Sequence, residues 1–196
     1  MKRMQKISQD RINSTKRGLR MDEKEFEIAS KNIKLLLFDC DGVLADGKII
    51  LGKNEFECKF FSTKDGMGIT LWKKGGFLCG CISGRASEGL SKRSQELLFD
   101  ELHQKISNKC DVLNDILERR LLDKSEVAYI GDDLNDLTLL GKVAIFLAPS
   151  DAHAEVLERA DYILSRNGGD GAIREAVDLF LKYKGLLNEL ISTYLR

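Results

Sequence analysis

Along this 196-residue chain, apolar runs stop abruptly at polar residues. Ile33-Lys34-Leu35-Leu36-Leu37-Phe38 is nearly continuous and ends at Asp39. Phe77 to Ile82 ends at Ser83-Gly84, Val127 to Ile130 at Gly131-Asp132, and Val143 to Leu147 at Pro149-Ser150. Short unbroken runs of this kind are what strands buried on both faces of a parallel sheet produce. Between them the pattern predicts helices over 65–74, 86–98, 109–122, 134–141 and 152–160. A short helix is predicted over 21–31, with Phe26 and Ala29 on one face. A helical tail is predicted over 171–196, with a hinge at Gly185. Strands alternating with helices imply an α/β fold, a doubly wound parallel sheet.

One segment breaks the alternation. Residues 48–51 and 56–61 flank Gly52-Lys53-Asn54-Glu55, which reads as a β-hairpin inserted after the first strand. No other insertion is long enough for a cap domain. Residues 21–196 therefore read as one domain, whose cleft is either open or covered by another subunit. In such sheets the site lies beyond the carboxyl ends of the strands. Here those ends carry Asp39, Ser83 and Asp132.

The 31 basic and 31 acidic side chains cancel, which gives no reason to expect nucleic acid or an anionic membrane as partner. The five cysteines, Cys40, Cys58, Cys79, Cys81 and Cys110, show no metal-type spacing and read as free thiols in a reducing cytosol. No apolar run is long enough to span a bilayer, so a cytoplasmic location is expected. The first 20 residues are mostly basic and no apolar core follows them, which excludes a secretory signal. They read as a disordered leader, or as a segment preceding a true start at Met21.

Four elements carry candidate chemistry. In Asp39-Cys40-Asp41-Gly42 two carboxylates follow a buried strand. A buried carboxylate without a partner is costly, and a bound Mg2+, which prefers oxygen ligands, would resolve that cost. One carboxylate can attack phosphorus while the other protonates the leaving oxygen and later activates water. A lone Asp-x-Asp is more often a helix-capping loop. Ser83, at another strand end, suits an anion together with adjoining backbone N–H groups, or else serves as a plain helix N-cap. Gly131-Asp132-Asp133-Leu134-Asn135-Asp136 places three carboxylates where one cap would need one, so at least one is expected to bind a cation. Lys109 opens a helix, where a cation is disfavoured unless it faces a phosphate or a carboxylate cluster. Lys105 is the competing candidate. His103 and His153 belong to no metal-like cluster, and Trp72 is expected to pack its helix onto the sheet.

These elements, in this order, resemble the haloacid dehalogenase superfamily of phosphotransferases. The resemblance implies Asp39 as nucleophile and Asp41 as general acid/base, with Ser83 and Lys109 holding the phosphate. It also implies Mg2+ bound by Asp39, the backbone carbonyl of Asp41, and Asp132, with Asp133 and Asp136 in the outer shell. The stretch Asp39 to Gly47 (DCDGVLADG), the hairpin, Lys64-Asp65-Gly66-Met67-Gly68-Ile69, and residues 167–175 (NGGDGAIRE) extend the likeness. Together they resemble the capless subgroup typified by 3-deoxy-D-manno-octulosonate 8-phosphate phosphatase. That subgroup implies a homotetramer whose hairpins meet centrally. It implies Asp46, Lys64, Asp65, Gly66, Arg85 and Arg93 as substrate contacts, with an ordinary exposed helix position as the competing reading of Arg85 and Arg93.

The expected reaction is hydrolysis of octulosonate 8-phosphate through an aspartyl-phosphate. Three departures bear on the sugar. Ala45, Lys64 and Asp170 stand where the octulosonate enzymes usually carry Thr, Arg and Arg, and neither Lys nor Asp reproduces bidentate carboxylate binding. An acidic residue at the tail position resembles that of phosphatases acting on nine-carbon 2-keto sugar acids, so a nine-carbon 2-keto sugar acid 9-phosphate is the alternative substrate. A non-catalytic partner domain is a further alternative, and the intact Asp39, Asp41 and Asp132 count against it. A phosphomutase would generally carry a cap.

Overall fold

The computed structural model describes residues 19–53 and 57–195. In chain order the elements are α1 (Glu23–Asn32), β1 (Leu35–Phe38), β2 (Ile50–Leu51), β3 (Glu57–Cys58), α2 (Thr63–Lys74), β4 (Leu78–Ile82), α3 (Glu88–Glu96), β5 (Glu101–His103), α4 (Lys109–Arg120), β6 (Val127–Ile130), β7 (Ile145–Ala148), α5 (Ala154–Arg159), β8 (Tyr162–Ile163), α6 (Ala172–Tyr183) and α7 (Leu187–Ser192). Short 3-10 helices at Lys124–Glu126 and Leu134–Leu139 flank β6.

Six strands form one parallel sheet in the order β5-β4-β1-β6-β7-β8. The alternation of side chains decides what each face buries. Leu36, Phe38, Cys79, Cys81, Ala128 and Ile130 face Phe26, Ile69, Trp72, Val177 and Phe180 of α1, α2 and α6. Leu35, Leu37, Val127, Tyr129 and Phe146 face Leu113, Ile116 and Val156 of α4 and α5. Each large apolar side chain fully withdrawn from water contributes roughly 1.5–3 kcal/mol, so the sheet interior is the main stabilising feature. Trp72 packs as expected, with its Nε1 donating to the Leu78 carbonyl at 2.7 Å.

This topology positions the site. The chain proceeds from β1 to β4 on one side and to β6 on the other, so strand order reverses beside β1. In register, Phe38 lies opposite both Cys81 and Ile130. Asp39 therefore leaves the sheet level with the segments that lead to Ser83 and Asp132, at the crevice such a reversal creates.

The structure corrects several boundaries. Ile33 is the C-cap of α1, not the first residue of the strand. The helix expected over 134–141 is a six-residue 3-10 helix. Two edge strands, β5 and β8, were not anticipated. They are three and two residues long, and at that length periodicity carries no signal. The hairpin pairs Ile50 with Cys58 and Leu51 with Glu57; of its expected tip, Gly52 to Glu55, residues 54 and 55 lie outside the described residues. The helical tail divides into α6 and α7 at Gly185, whose φ is +75°. Of the basic leader expected over 1–20, residues 1–18 lie outside the described residues. Leu19 and Arg20 belong to the domain instead: Leu19 bridges Tyr162, and the Arg20 N–H donates to the Asp161 carbonyl at 2.9 Å.

Candidate active site

Asp39, one residue beyond β1, is 6% exposed. Its Oδ1 accepts from Lys109 Nζ at 2.6 Å, and the same ammonium donates to Asp136 Oδ1 at 2.6 Å and to the Tyr129 hydroxyl at 3.0 Å. Burial opposes the Lys109 charge, but the two carboxylates hold its pKa above the ordinary lysine value. This resolves why a lysine opens α4: it faces an acidic cluster strong enough to outweigh the helix dipole.

Asp132, Asp136 and Asp39 converge, with one carboxylate oxygen of each lying within 4.8 Å of the others. Such a cluster could hold a divalent cation, and hydrogen bonding separates the roles of its members. Asp136 is fully buried and saturated. Its Oδ1 accepts from Lys109 and Tyr129, and its Oδ2 accepts from the backbone N–H groups of Asp132 and Asp133. Asp132 Oδ1 is buried with no hydrogen-bond partner. An orphaned, buried carboxylate oxygen beside a second carboxylate is the environment a hard divalent cation relieves. Burial pushes the Asp132 carboxyl up to about 8, with Asp39, Asp136 and Asp133 adding repulsion. Burial likewise raises Asp39 to about 6, against the lowering effect of Lys109. The donor set thus fits a cation between Asp39 and Asp132.

Two glycines let the backbone close around this point. Gly42 has φ +96°, and a Cβ there would lie 1.9 Å from Asp132 Oδ2. A Cβ on Gly168 would lie 1.8 Å from the Gly42 carbonyl oxygen. The Asn167–Gly171 segment can therefore rest directly on the Asp41 loop, where the Gly169 N–H donates to the Val43 carbonyl at 2.8 Å.

The remaining expected residues divide. Asp41 lies on the same loop, and its Oδ1 accepts a hydrogen bond from Lys59 Nζ. Ser83 is 2% exposed at the end of β4, and its Oγ accepts from the Arg85 N–H at 3.2 Å. Arg85 reaches back to the hairpin, with Nη2 donating to Glu57 Oε2 at 3.3 Å. Asp46 pairs with Lys48 at 3.0 Å. Asp133 is the N-cap of the 3-10 helix, its side chain accepting from the Leu134 N–H at 2.7 Å. Arg93 lies across the first turn of α2: a Cβ on Gly66 would meet its Nη2 at 2.3 Å, and its Nη1 donates to Glu96.

Asp65 requires a correction. It was expected to contact substrate, but it is fully buried and caps α6. Its Oδ2 accepts from the Gly171 N–H at 3.0 Å and its Oδ1 from the Arg174 N–H at 2.9 Å.

Sequence reading missed Tyr129, Lys59 and Glu57. Tyr129 was legible as the one hydroxyl in an apolar strand run ending at Gly131-Asp132. Glu57 and Lys59 were legible as an anion and a cation two positions apart in the otherwise apolar run Phe56 to Phe61.

The haloacid dehalogenase-like hydrolase family profile matches residues 87–175. The chain is 40% identical over 160 residues to the 3-deoxy-D-manno-octulosonate 8-phosphate phosphatase KdsC of Escherichia coli K12, covering 82% of this chain and 85% of that one. Among solved structures it is similar to a probable YrbI family phosphatase from Pseudomonas syringae, with TM-score 0.86 and 36% identity, covering 89% and 99% of the two chains. It is also similar to the Moraxella catarrhalis octulosonate 8-phosphate phosphatase, solved with magnesium, phosphate and KDO. There the TM-score is 0.85 and the identity 32%, covering 88% and 99%.

Proposed function

Because the chain belongs to the 3-deoxy-D-manno-octulosonate 8-phosphate phosphatase family of haloacid dehalogenase-like hydrolases, we propose that it hydrolyses the terminal phosphate of 3-deoxy-D-manno-octulosonate 8-phosphate, with Mg2+ as cofactor. The observation that carries this reading is the orphaned Asp132 Oδ1 beside Asp39, with Lys109 already seated on the nucleophile.

Asp39 attacks phosphorus and forms an aspartyl-phosphate. Lys109 holds Asp39 in place and offsets charge on the phosphoryl oxygens. Ser83 and the backbone N–H groups at the start of the following turn receive those oxygens. Asp41 gives a proton to the departing ester oxygen of the sugar and then takes one from the attacking water. Asp39 and Asp132 would hold the cation, which when bound offsets repulsion between the carboxylates and the phosphate. Free thiols at Cys40, Cys58, Cys79, Cys81 and Cys110 accord with a reducing compartment. No helix among the described residues is long and apolar enough to cross a membrane.

A homotetramer belongs to this proposal. Ile49, Ile50, Leu51 and Phe60 expose 47, 39, 72 and 58% of their surface on the hairpin and the turn after it. Apolar side chains exposed together on one hairpin suit a contact between subunits. A nine-carbon sugar acid 9-phosphate is the second reading, favoured by the Lys64–Asp170 ion pair in place of two arginines.

The deciding experiment is phosphate release, with and without Mg2+, from octulosonate 8-phosphate, nine-carbon 2-keto acid 9-phosphates and hexose phosphates. A magnesium-dependent preference for octulosonate 8-phosphate is expected. Turnover of no substrate by the folded protein would overturn the proposal.

A further inference from the structure

The hairpin brings a lysine into the site. β3 ends at Cys58, and the chain then passes over the Asp41 loop, pinned by a bridge between Ala45 and Phe61. Lys59 lies on this crossing. Its side chain is 2% exposed, although the neighbouring Phe60 is 58% exposed. An ammonium withdrawn from water needs close anionic partners. Those partners are Asp41 Oδ1, which accepts its hydrogen bond, and Glu57 Oε1 at 3.2 Å. Arg85 completes the cluster through Glu57 Oε2 and stands with its Nε 3.9 Å from Asp41 Oδ2. With Asp41 ionised, two cations and two anions balance, and Asp41 is the member with a step in the proposed reaction.

The cluster treats the two oxygens of Asp41 differently. Oδ1 is anchored by a buried cation. Oδ2 has a half-exposed guanidinium at 3.9 Å, outside hydrogen-bond distance. A carboxylate side chain that must meet first a leaving oxygen and then a water needs its orientation fixed in both halves of the reaction.

We infer that Lys59 is the positioning residue for the general acid/base, anchoring Asp41 Oδ1 so that Oδ2 performs the proton transfers. The inference rests on the reading of Asp41 given above. In the first half-reaction the bond from phosphorus to the ester oxygen breaks and a bond from phosphorus to an Asp39 oxygen forms, while the Asp41 proton goes to the ester oxygen. In the second, water attacks phosphorus and its proton returns to Asp41 as phosphate leaves Asp39. Lys59 keeps its proton throughout and touches neither phosphate nor water.

The test compares Lys59→Met, Lys59→Arg and Asp41→Asn in the full chain with saturating Mg2+. Two substrates are used: octulosonate 8-phosphate, whose alkoxide leaving group needs a proton, and 4-nitrophenyl phosphate, whose phenolate departs unaided. For Lys59→Met, kcat on the sugar phosphate is expected to fall by at least about tenfold with KM little changed, and kcat/KM on the aryl ester by less than about threefold. Lys59→Arg should recover most of the loss. Adding Lys59→Met to Asp41→Asn should cost nothing further, because Lys59 acts through Asp41. Equal losses of kcat/KM on both substrates, a raised KM with unchanged kcat, or an additive double variant would each overturn the inference. Asp41→Asn by itself separates the two levels. If it lowers kcat/KM selectively for the sugar phosphate while Lys59→Met does not, only the inference fails; if it lowers kcat/KM of both esters equally, the general-acid reading fails and the inference with it.

Discussion

Lys64 Nζ and Asp170 Oδ1 meet at 2.9 Å across 106 positions of sequence. Lys64 lies in the first turn of α2, and Asp170 in the glycine-rich turn before α6. Both side chains are more than half exposed, so the pair adds only about 0–1 kcal/mol of stability. Its interest lies in recognition. The resemblance drawn from the sequence implies arginine at both positions in the octulosonate enzymes, and two arginines would repel one another and remain available to a carboxylate. Here a cation and an anion satisfy each other beside a cavity of about 460 Å³ that Arg166 and Arg174 also line. The two departures thus meet in one ion pair.

If that pair sets sugar preference, converting both residues to arginine should move it. Lys64→Arg with Asp170→Arg is expected to raise kcat/KM for octulosonate 8-phosphate relative to a nine-carbon 9-phosphate by about tenfold. Competition kinetics with both substrates present would check this. An unchanged ratio would remove the pair from specificity.

Asp39 and Lys109 have separable roles. Asp39→Asn keeps shape but loses nucleophilicity, so turnover should fall by about a thousandfold or more with the fold intact. Lys109→Met leaves two buried carboxylates without their shared cation and should cost about 3–5 kcal/mol in metal-free protein. Denaturant titration of the two variants distinguishes the outcomes.

The acidic cluster also predicts how metal-free stability depends on pH. The Asp132 carboxyl rises from 3.8 to about 8 on folding, through burial first and neighbouring carboxylates second. Its folded state therefore holds a proton that the unfolded chain releases. The contribution is fully present below 3.8 and is lost as pH rises towards about 8. Thermal melts of metal-free protein should show Tm falling across this window, and both Asp132→Asn and added Mg2+ should flatten the fall. A melting profile of unchanged slope in Asp132→Asn would contradict this.

Asp65 tests the difference between a cap and a substrate contact. Asp65→Ala removes the acceptor for two backbone N–H groups and should cost about 1–3 kcal/mol. KM at a temperature where the variant remains folded should stay near that of the parent. A large rise in KM without loss of stability would restore a role in substrate binding.

Assembly through the hairpin predicts that Leu51→Asp combined with Phe60→Asp lowers the mass seen by light scattering from that of a tetramer. Fully active monomer in the parent protein would remove the tetramer from the proposal.

The sequence by itself determined where the chemistry sits. A strand buried on both faces tolerates few polar residues, so the residue that ends its apolar run marks the sheet edge. Asp39, Ser83 and Asp132 were legible for that reason, and the alternation of runs and helices gave the doubly wound sheet. Only the tertiary structure decided which side chains meet. Lys109 joins Asp39 and Asp136 from 70 and 27 positions away, Lys59 reaches Asp41 from 18, and Asp65 caps a helix 106 positions on. Such pairings depend on which strands and helices become neighbours, and local spacing carries no record of that. The same reason hid β5 and β8, which are too short to have a period and exist because longer strands beside them supply a ladder to join.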